Sequence, residues 1–196
     1  DGLTKFAEKS EKISKSLVTA GRGFTRALTM PILALGVSAL KSSIDYESAF
    51  TSVRKTVEAS EEEFTALSTS IKEMSTQVAS AGTEIAEVVA VAGQMGISND
   101  HLMTFARTMI DLGNSTDIVA NEAALILAKF ANITKMNQAQ FQNLGSALVD
   151  LGNNYAATES QILEMSMRLA GAGHQVGLSE AQILGFATAL SAVGIK

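Results

Sequence analysis

The chain of 196 residues contains no cysteine, no tryptophan and only one proline. Without cysteine, the protein can form neither disulfides nor thiolate metal sites, and it has no cysteine nucleophile. No run of alternating polar and apolar residues bounded by turn residues indicates a β-strand. The remaining residues, rich in alanine, leucine, serine and glutamate, predict an all-α fold.

Catalytic and metal-binding patterns are also missing. The only histidines are His101 and His174, and neither has a second metal ligand three or four positions away. We interpret both as structural, because a lone histidine lacks the convergent partners that a site requires. There is no phosphate-binding Gly-x-x-x-x-Gly-Lys loop, and AGAGHQVG lacks the preceding strand of a dinucleotide site. We expect no enzyme activity, no cofactor and no metal.

Charge is unevenly distributed along the chain. Residues 1–41 hold seven Lys/Arg and three Asp/Glu, whereas residues 42–196 hold eight against seventeen. Residues 3–20 predict an amphipathic helical arm, with Leu3, Phe6, Ile13 and Leu17 spaced among lysines. Such a lysine pattern is typical of a solvated helix face.

A motif occurs three times in the second half of the chain, starting at Ile97, Met136 and Leu178, with spacings of 39 and 42 residues. Each copy has apolar residues at i, i+3, i+4 and i+7, which is one stripe of an α-helix. The aligned stripes are Leu102, Phe105, Ala106 and Met109; Phe141, Leu144, Gly145 and Leu148; and Ile183, Phe186, Ala187 and Leu190.

Each copy also has predicted helix start and stop signals. Ser98, Asn137 and Ser179 are expected N-caps, with Gln140 and Gln182 three positions later as in a capping box. Gly113, Gly152 and Gly194 are expected left-handed C-caps. A second helix follows in the first two copies, with Thr116 and Thr158 as expected caps. The unit is therefore a helical hairpin of about 40 residues, a length typical of stacked repeats.

The sequence DLGN appears at the same place in two copies and predicts a structural turn. Its residues are Asp111, Gly113 and Asn114 in one copy and Asp150, Gly152 and Asn153 in the other. An aspartate near a turn can accept hydrogen bonds from the free amides of that turn. Recurrence at the repeat spacing therefore indicates a structural requirement rather than a catalytic one.

Three more helices are expected before the first copy. Pro31 suits the first turn of a helix that continues to about Val57. Ser60 and Glu63 predict a capping box for a helix that ends near Ser80–Gly82. Thr83 is the expected cap of TEIAEVVAVAGQ, a short apolar helix inside the stack. We expect an N-terminal region, residues 1–59, followed by a helical-hairpin domain, residues 60–196, as part of a longer protein.

The stretch Ala27–Leu40 carries no charge, which allows two interpretations. It is shorter than the roughly 20 residues that span a bilayer, which favours a buried helix. The alternative is contact with anionic lipid beside the basic arm. The membrane-contact residues in that case are Pro31, Ile32, Leu33, Leu35, Val37 and Leu40.

A segment around Gly96 resembles a DNA-binding helix-turn-helix, in which a Ser98-capped helix would be the recognition helix. Between Glu84 and Gly113, however, there are four acids and one arginine. The phosphate attraction that dominates DNA affinity would be missing. We therefore disfavour a DNA-binding regulator and expect no sequence-specific nucleic acid as a partner.

The order of these segments resembles the conserved N-terminal region of tail tape measure proteins from long-tailed bacteriophages and prophages. The resemblance covers Leu3 to Lys196 and is carried by the lysine-rich leader, TMPILALGVSALKSSIDYESAFTSVRKTV, AGQMGIS, the paired DLGN turns and LAGAGHQVGLSEAQILGFATALSAVGIK. No catalytic residues are transferred by it.

The resemblance implies a protein around which tail tube subunits polymerise, so that its length sets tail length, and which is later ejected to assist DNA passage. Implied partners are the tail tube protein, tail assembly chaperones, tail tip or baseplate proteins, further copies in a trimer or hexamer, and the host membrane during ejection. The implied location is the tail lumen of the virion, after assembly in the bacterial cytoplasm. The alternative is a HEAT-like helical-repeat interaction scaffold, whose hairpins have a similar length.

Overall fold

The computed structural model describes the backbone of residues 30–195 and the side chains of residues 42–195. The described residues form eight α-helices and one short 3₁₀-helix, without strands, so the all-α prediction is confirmed. The α-helices are α1 Met30–Thr56, α2 Glu61–Ser75, α3 Gly82–Gln94, α4 Asn99–Ser115, α5 Ala120–Thr134, α6 Phe141–Asn154, α7 Glu159–Gln175 and α8 Glu180–Ala192; the 3₁₀-helix is Gln138–Gln140.

Backbone contacts divide the chain in two, and the second unit begins at Tyr46. In the second unit, the last part of α1 buries Tyr46, Phe50 and Val53 at helical spacing. The Phe50 ring meets the edge of Phe64 in α2, with centroids 6.3 Å apart. The hydroxyls of Tyr46 and Ser68 are 2.9 Å apart, so a polar contact fixes the same pair of helices.

The helices of the second unit stack as hairpins in two layers. In one layer α6 packs between α4 and α8, and in the other α5 packs between α3 and α7. The hairpin α2–α3 extends the stack with a fourth copy of the motif, in which Ser60 lies 38 positions before Ser98. The motif is harder to recognise in that copy because a serine, Ser68, interrupts its stripe.

Burial confirms the predicted stripes in the first two copies, where all eight residues are buried. The third copy differs. Ile183 and Ala187 are buried, but Leu190 is half-buried and the Phe186 side chain is 56% exposed. The apolar helix α3 lies inside the stack as expected, with Ile85 and Val89 fully buried.

Within the described residues, capping boxes form at three helix starts, where each cap residue and its partner three positions later exchange side-chain and backbone hydrogen bonds. They are Ser60 with Glu63, Thr158 with Gln161 and Ser179 with Gln182. The predictions of Ser60, Thr158 and Ser179 as caps are confirmed.

At the other predicted caps, some side chains bond to different partners. Ser98 precedes α4, but its hydroxyl donates to Gln138 Oε1 and makes no cap bond. The prediction of Asn137 as an N-cap is confirmed, since its side chain accepts a hydrogen bond from the Ala139 amide in the short 3₁₀-helix. The capping box with Gln140 does not form, because the Gln140 side chain accepts a bond from Asn143 instead. Thr116 donates to the Leu112 carbonyl at the end of α4.

Two further boundaries differ from the predictions. Helix α5 begins at Ala120 after Val119, and α3 begins at Gly82 after Ala81, so Thr83 lies inside α3 rather than before it. Helix α2 ends at Ser75, several residues earlier than expected, because Thr76 to Ser80 form a turn.

Left-handed backbone occurs at Gly96, Lys135, Gly177 and Gly194, each shortly after a helix. Gly194 confirms the prediction. Gly113 and Gly152 are not left-handed, because α4 and α6 continue through them to Ser115 and Asn154. The C-cap prediction for these two glycines is wrong.

The predicted amphipathic arm, residues 3–20, lies outside the described residues. The predicted membrane-contact residues, Pro31, Ile32, Leu33, Leu35, Val37 and Leu40, belong to the backbone of α1, with Pro31 in its first turn as expected. Within the described part of the chain, no helix combines the length and apolarity needed to cross a bilayer.

Candidate functional site

A groove of about 680 Å³ runs between α4 and α6, the first helices of two successive hairpins. Small and hydroxylated side chains line much of it, so the surfaces of the two helices leave space between them. The lining residues are Met103, Thr104, Arg107, Thr108, Asp111, Leu112, Ser115, Gln142, Gly145, Ser146, Val149, Asp150 and Asn153.

Gly145 allows the close approach of the two helices at the floor of the groove. A Cβ atom added there would lie 2.8 Å from Thr108 Cγ2, closer than carbon atoms pack. Leu112 lies beside the same position and is buried. The floor is therefore tightly packed, and the open space lies above it.

The edge of the groove carries charge that is already paired within each helix. Arg107 Nε donates to both carboxylate oxygens of Asp111, at 3.2 and 3.0 Å. Asn154 donates to Asp150 Oδ1 at 3.0 Å. The aspartates thus bond to side chains four positions away on the same helix. The expected hydrogen bonds from the free turn amides to these aspartates do not form.

Three of the six predicted turn residues, Asp111, Asp150 and Asn153, line this one groove. The glycines face the other way, toward the start of the second helix of each hairpin. A Cβ atom on Gly113 would lie 2.9 Å from Ala120 Cβ, and one on Gly152 would overlap the Glu159 side chain. The DLGN motif therefore places an aspartate toward the groove and a glycine toward the hairpin partner.

One hydroxyl that lines the groove is already hydrogen-bonded within its own helix. The Thr108 hydroxyl donates to the Thr104 carbonyl at 2.9 Å, as is common for helix hydroxyls, and no histidine lines the groove. Across the part of the chain with described side chains, no three His, Asp or Glu groups lie close enough together to hold a metal ion. His101 is half-buried at the start of α4 and His174 is exposed near the end of α7.

Successive hairpins are connected by residues that were not predicted from the sequence. The Asp117 carboxylate accepts hydrogen bonds from the Ser160 hydroxyl at 2.7 Å and the Ser160 amide at 3.1 Å. Partial burial raises the pKa of Asp117, but the hydrogen bonds from Ser160 and Thr158 outweigh burial and leave that pKa below its ordinary value. The repeat spacing was the only signal for this pair, since the two residues are 43 positions apart.

Comparison with known families identifies this architecture. The family model of phage-related minor tail proteins matches residues 68–196, which is more than half of the chain. The chain belongs to the phage-related minor tail protein family. No curated protein and no solved structure matches it.

The matched part of this minor tail protein begins within α2 and includes the groove and all the hairpins from α3 to α8. Family membership makes the chain a phage tail protein and a component of the virion. It favours that role over a repeat scaffold unrelated to phage and over a DNA-binding regulator. In the helix-turn-helix segment, the supposed recognition helix α4 buries Leu102, Phe105 and Met109 in the hairpin stack.

Proposed function

We propose that this minor tail protein is a segment of a tape measure protein, which scaffolds tail tube assembly, sets tail length and is later ejected to assist DNA passage. The observation that carries the proposal is the family match, which falls on the stacked hairpins rather than on a catalytic centre. We propose a non-enzymatic role, because the groove has hydrogen-bonded side chains and no nucleophile paired with a base.

The proposed partners follow from this role. They are the tail tube protein, the tail assembly chaperones, tail tip or baseplate proteins, and further copies of the chain in a trimer or hexamer. The proposed location is the tail lumen of the virion, after assembly in the host cytoplasm. The groove between α4 and α6 is the surface we assign to another tail component, since its mixture of apolar floor and polar edge is typical of protein interfaces.

The hairpins provide two possible lengths for the same residues. Closed, each hairpin adds about one helix-to-helix spacing, roughly 8–10 Å, to the stack. Opened into continuous helix, a repeat of 39 residues would extend about 58 Å at a rise of about 1.5 Å per residue. We propose that the turns at Thr116–Val119 and Tyr155–Thr158 permit opening against partner copies or the tube wall. The apolar stripes would then be covered by those partners.

An in-frame deletion of Asp111–Val149 tests the proposal. These 39 residues run from one DLGN aspartate to just before the next, so Asp150 takes the place of Asp111 and the hairpin pattern is kept. If this region is extended in the tail and contributes to the measured length, we expect tails in electron micrographs to shorten by about 58 Å. An in-frame duplication of the same residues is the matched control and should lengthen tails by the same amount.

The other outcomes are equally informative. Tails that are unchanged in both variants would reject a ruler role for this region and make it a folded terminal module for nucleation or docking. A change of about 10 Å, one helix spacing, would show that the hairpins stay closed in the tail. Loss of all tails in the deletion, with normal tails in the duplication, would also indicate a docking module.

The uncharged segment Ala27–Leu40 is part of the same proposal. We propose a buried helix as its main role, since the segment is shorter than a membrane span. Contact with anionic lipid during ejection, through Leu33, Leu35 and neighbouring apolar residues beside the basic arm, is the alternative.

A further inference from the structure

The two helices that form the walls of the groove, α4 and α6, run in the same direction. Phe105 meets Phe141 near the start of both helices, and further along Thr108 lies against Gly145. The lining residues of α4 extend over residues 103–115, a length of about 18 Å at the rise of an α-helix. A groove of this length between two parallel helices has room for about three turns of a third helix.

Small side chains on both rims of the groove allow a helix to approach closely. Thr104 and Ser115 on α4 and Ser146 on α6 are short and exposed. The surface between them is partly apolar, with Leu112 buried and Val149 half-buried. One ridge of a partner helix can therefore pack between the rims. An extended peptide would need the edge of a sheet to pair with, and the described residues form no strand.

Asp150 is the groove carboxylate with an open acceptor. It is exposed on α6, and its Oδ1 atom accepts a hydrogen bond from Asn154 at 3.0 Å. No group of the described residues donates to its Oδ2 atom. Arg107 is the one cation among the residues that line the groove, and it is held by both carboxylate oxygens of Asp111. Asp150 is therefore the charge that a partner would neutralise.

The charge of the surrounding residues adds to this preference. Residues 46–195 contain sixteen acidic and seven basic side chains. Such an excess attracts a cationic partner and raises its rate of association, whereas it repels an acidic one. An acidic helix in the groove would also place its carboxylates next to that of Asp150, and like charges in contact are unfavourable.

We propose that the groove binds an amphipathic helix of a partner protein, with small or apolar side chains along the contacting ridge and a lysine or arginine beside Asp150. This inference rests on the assignment of the groove to another tail component and specifies the chemistry of that component. The groove exists only while α4 and α6 are packed together. Binding therefore favours the closed hairpins, and opening releases the partner.

Binding of a cationic helix and tail length are measured separately. Tails that shorten with the deletion of Asp111–Val149, from a chain that binds no such helix, would reject only the partner chemistry. Binding of the helix, with tails unchanged by the deletion and the duplication, would support the groove as a docking site and reject the ruler role.

The test uses the full chain and a fluorescein-labelled synthetic helix of about 15 residues, a length that fills the groove. The peptide has alanine and leucine on one face and lysines beside that face, and a second peptide has glutamate at the lysine positions. We expect saturable binding in fluorescence anisotropy, about tenfold or more tighter for the lysine peptide. The lysine peptide should also raise the unfolding temperature of the chain, because it binds the closed form.

Charge reversal at Asp150 tests where the peptide binds. Asp150→Lys should weaken binding of the lysine peptide by about tenfold or more and strengthen binding of the glutamate peptide. Glu122→Lys is the matched control, since it makes the same change in net charge at an exposed residue of α5 outside the groove. It should change either affinity by less than about twofold at physiological salt, which screens distant exposed charges.

A bulky neutral side chain tests the shape of the groove without changing its charge. Ser146→Phe fills the groove from an exposed position and should weaken the lysine peptide by about tenfold. Asn114→Phe, at an exposed residue of α4 that does not line the groove, should have little effect. Circular dichroism checks that each variant keeps its helix content. Absence of binding, equal affinities for the two peptides, or lysine-peptide binding that Asp150→Lys and Ser146→Phe leave unchanged would overturn the proposal.

Discussion

The Asp117 carboxylate, in the turn of one hairpin, accepts two hydrogen bonds from Ser160 in the first turn of α7 in the next hairpin. One of them comes from the Ser160 backbone amide, which has no partner within its own helix. Asp117 thus acts as an additional cap for a helix 43 residues away. Gln138 has a similar role, because its side chain accepts from the Ser98 amide and donates to the Gly96 carbonyl.

Asp117→Asn should lower the free energy of unfolding by about 0.5–1 kcal/mol at neutral pH, a modest effect because the side chain is largely exposed. The neutral amide keeps the shape of the side chain but loses the charge-assisted hydrogen bonds from Ser160. Chemical denaturation of both proteins measures the difference. Asp150→Asn, whose carboxylate pairs only with Asn154 on its own helix, is the matched control and should have a smaller effect.

The effect of Asp117 should also depend on pH. Its folded pKa is below its ordinary value, so its stabilising contribution is complete above the unfolded pKa of about 3.9. That contribution is lost as the pH falls through the lower folded pKa. The stability difference between wild type and Asp117→Asn should therefore be constant from about pH 7 to pH 5 and narrow below about pH 4. A difference that grows in acid would contradict this account.

Lys135→Gly should stabilise the protein by about 1 kcal/mol. Lys135 has a φ of 59° and occupies the same repeat position as Gly96 and Gly177, whose φ values are 80° and 81°. In this left-handed backbone conformation the Cβ atom of a lysine is sterically strained, whereas glycine has no Cβ atom. Thermal unfolding measures the change.

The reverse substitution at the same repeat position is the control for Lys135. Gly96→Ala should destabilise by a similar amount, because a Cβ atom there meets nothing within 4 Å and only the backbone conformation resists it. If Lys135→Gly were neutral or destabilising, contacts of the lysine side chain would have to outweigh its backbone strain.

Local signals predicted much of this fold. The capping boxes at Ser60 and Ser179 involve residues three positions apart, and the apolar stripes repeat every three or four residues, so both can be seen in a short window of sequence. Helix α3 was likewise evident from its apolar composition. These features depend on neighbours along the chain.

The incorrect predictions have partners that are distant in sequence. Ser98 stands at the N-cap position of α4 but makes no side-chain cap bond, because its hydroxyl donates to Gln138, 40 residues later. Gly113 is not a turn residue, because the approach of Ala120 requires a glycine inside the helix. Only part of the groove could be predicted from the sequence. Asp111 and Asp150 recur at the repeat spacing, but the gap between their helices depends on how the helices pack. None of these relationships exists until the hairpins are stacked.

The uncharged segment Ala27–Leu40 should not attach the protein to lipid while the chain is folded, because we expect it to form a buried helix. The full chain mixed with vesicles containing phosphatidylserine should therefore stay at the bottom of a flotation gradient. Neutral phosphatidylcholine vesicles are the control for charge. Flotation with the anionic vesicles that is lost with Leu33→Glu would instead support the membrane-contact interpretation.

Gly113→Ala should destabilise the protein by about 1–3 kcal/mol, even though alanine is the better helix former. A Cβ atom at Gly113 would lie 2.9 Å from Ala120 Cβ and 3.0 Å from the Ala120 backbone nitrogen, and backbone cannot move aside as a flexible side chain can. Chemical denaturation measures the loss.

Alanine substitutions at two other helical glycines distinguish the effect of this clash from the effect of helix propensity. Gly171 lies inside α7 with nothing within 4 Å of an added Cβ atom, so Gly171→Ala should stabilise by up to about 1 kcal/mol. At Gly152 the obstacle is the Glu159 side chain, which can rotate away, so Gly152→Ala should fall between the other two variants. Equal effects at all three glycines would mean that close helix approach is not why DLGN carries glycine. If the three variants instead follow the predicted order of stability, the DLGN glycine is needed because the two helices of its hairpin pack closely there. The aspartate of the same motif faces the groove.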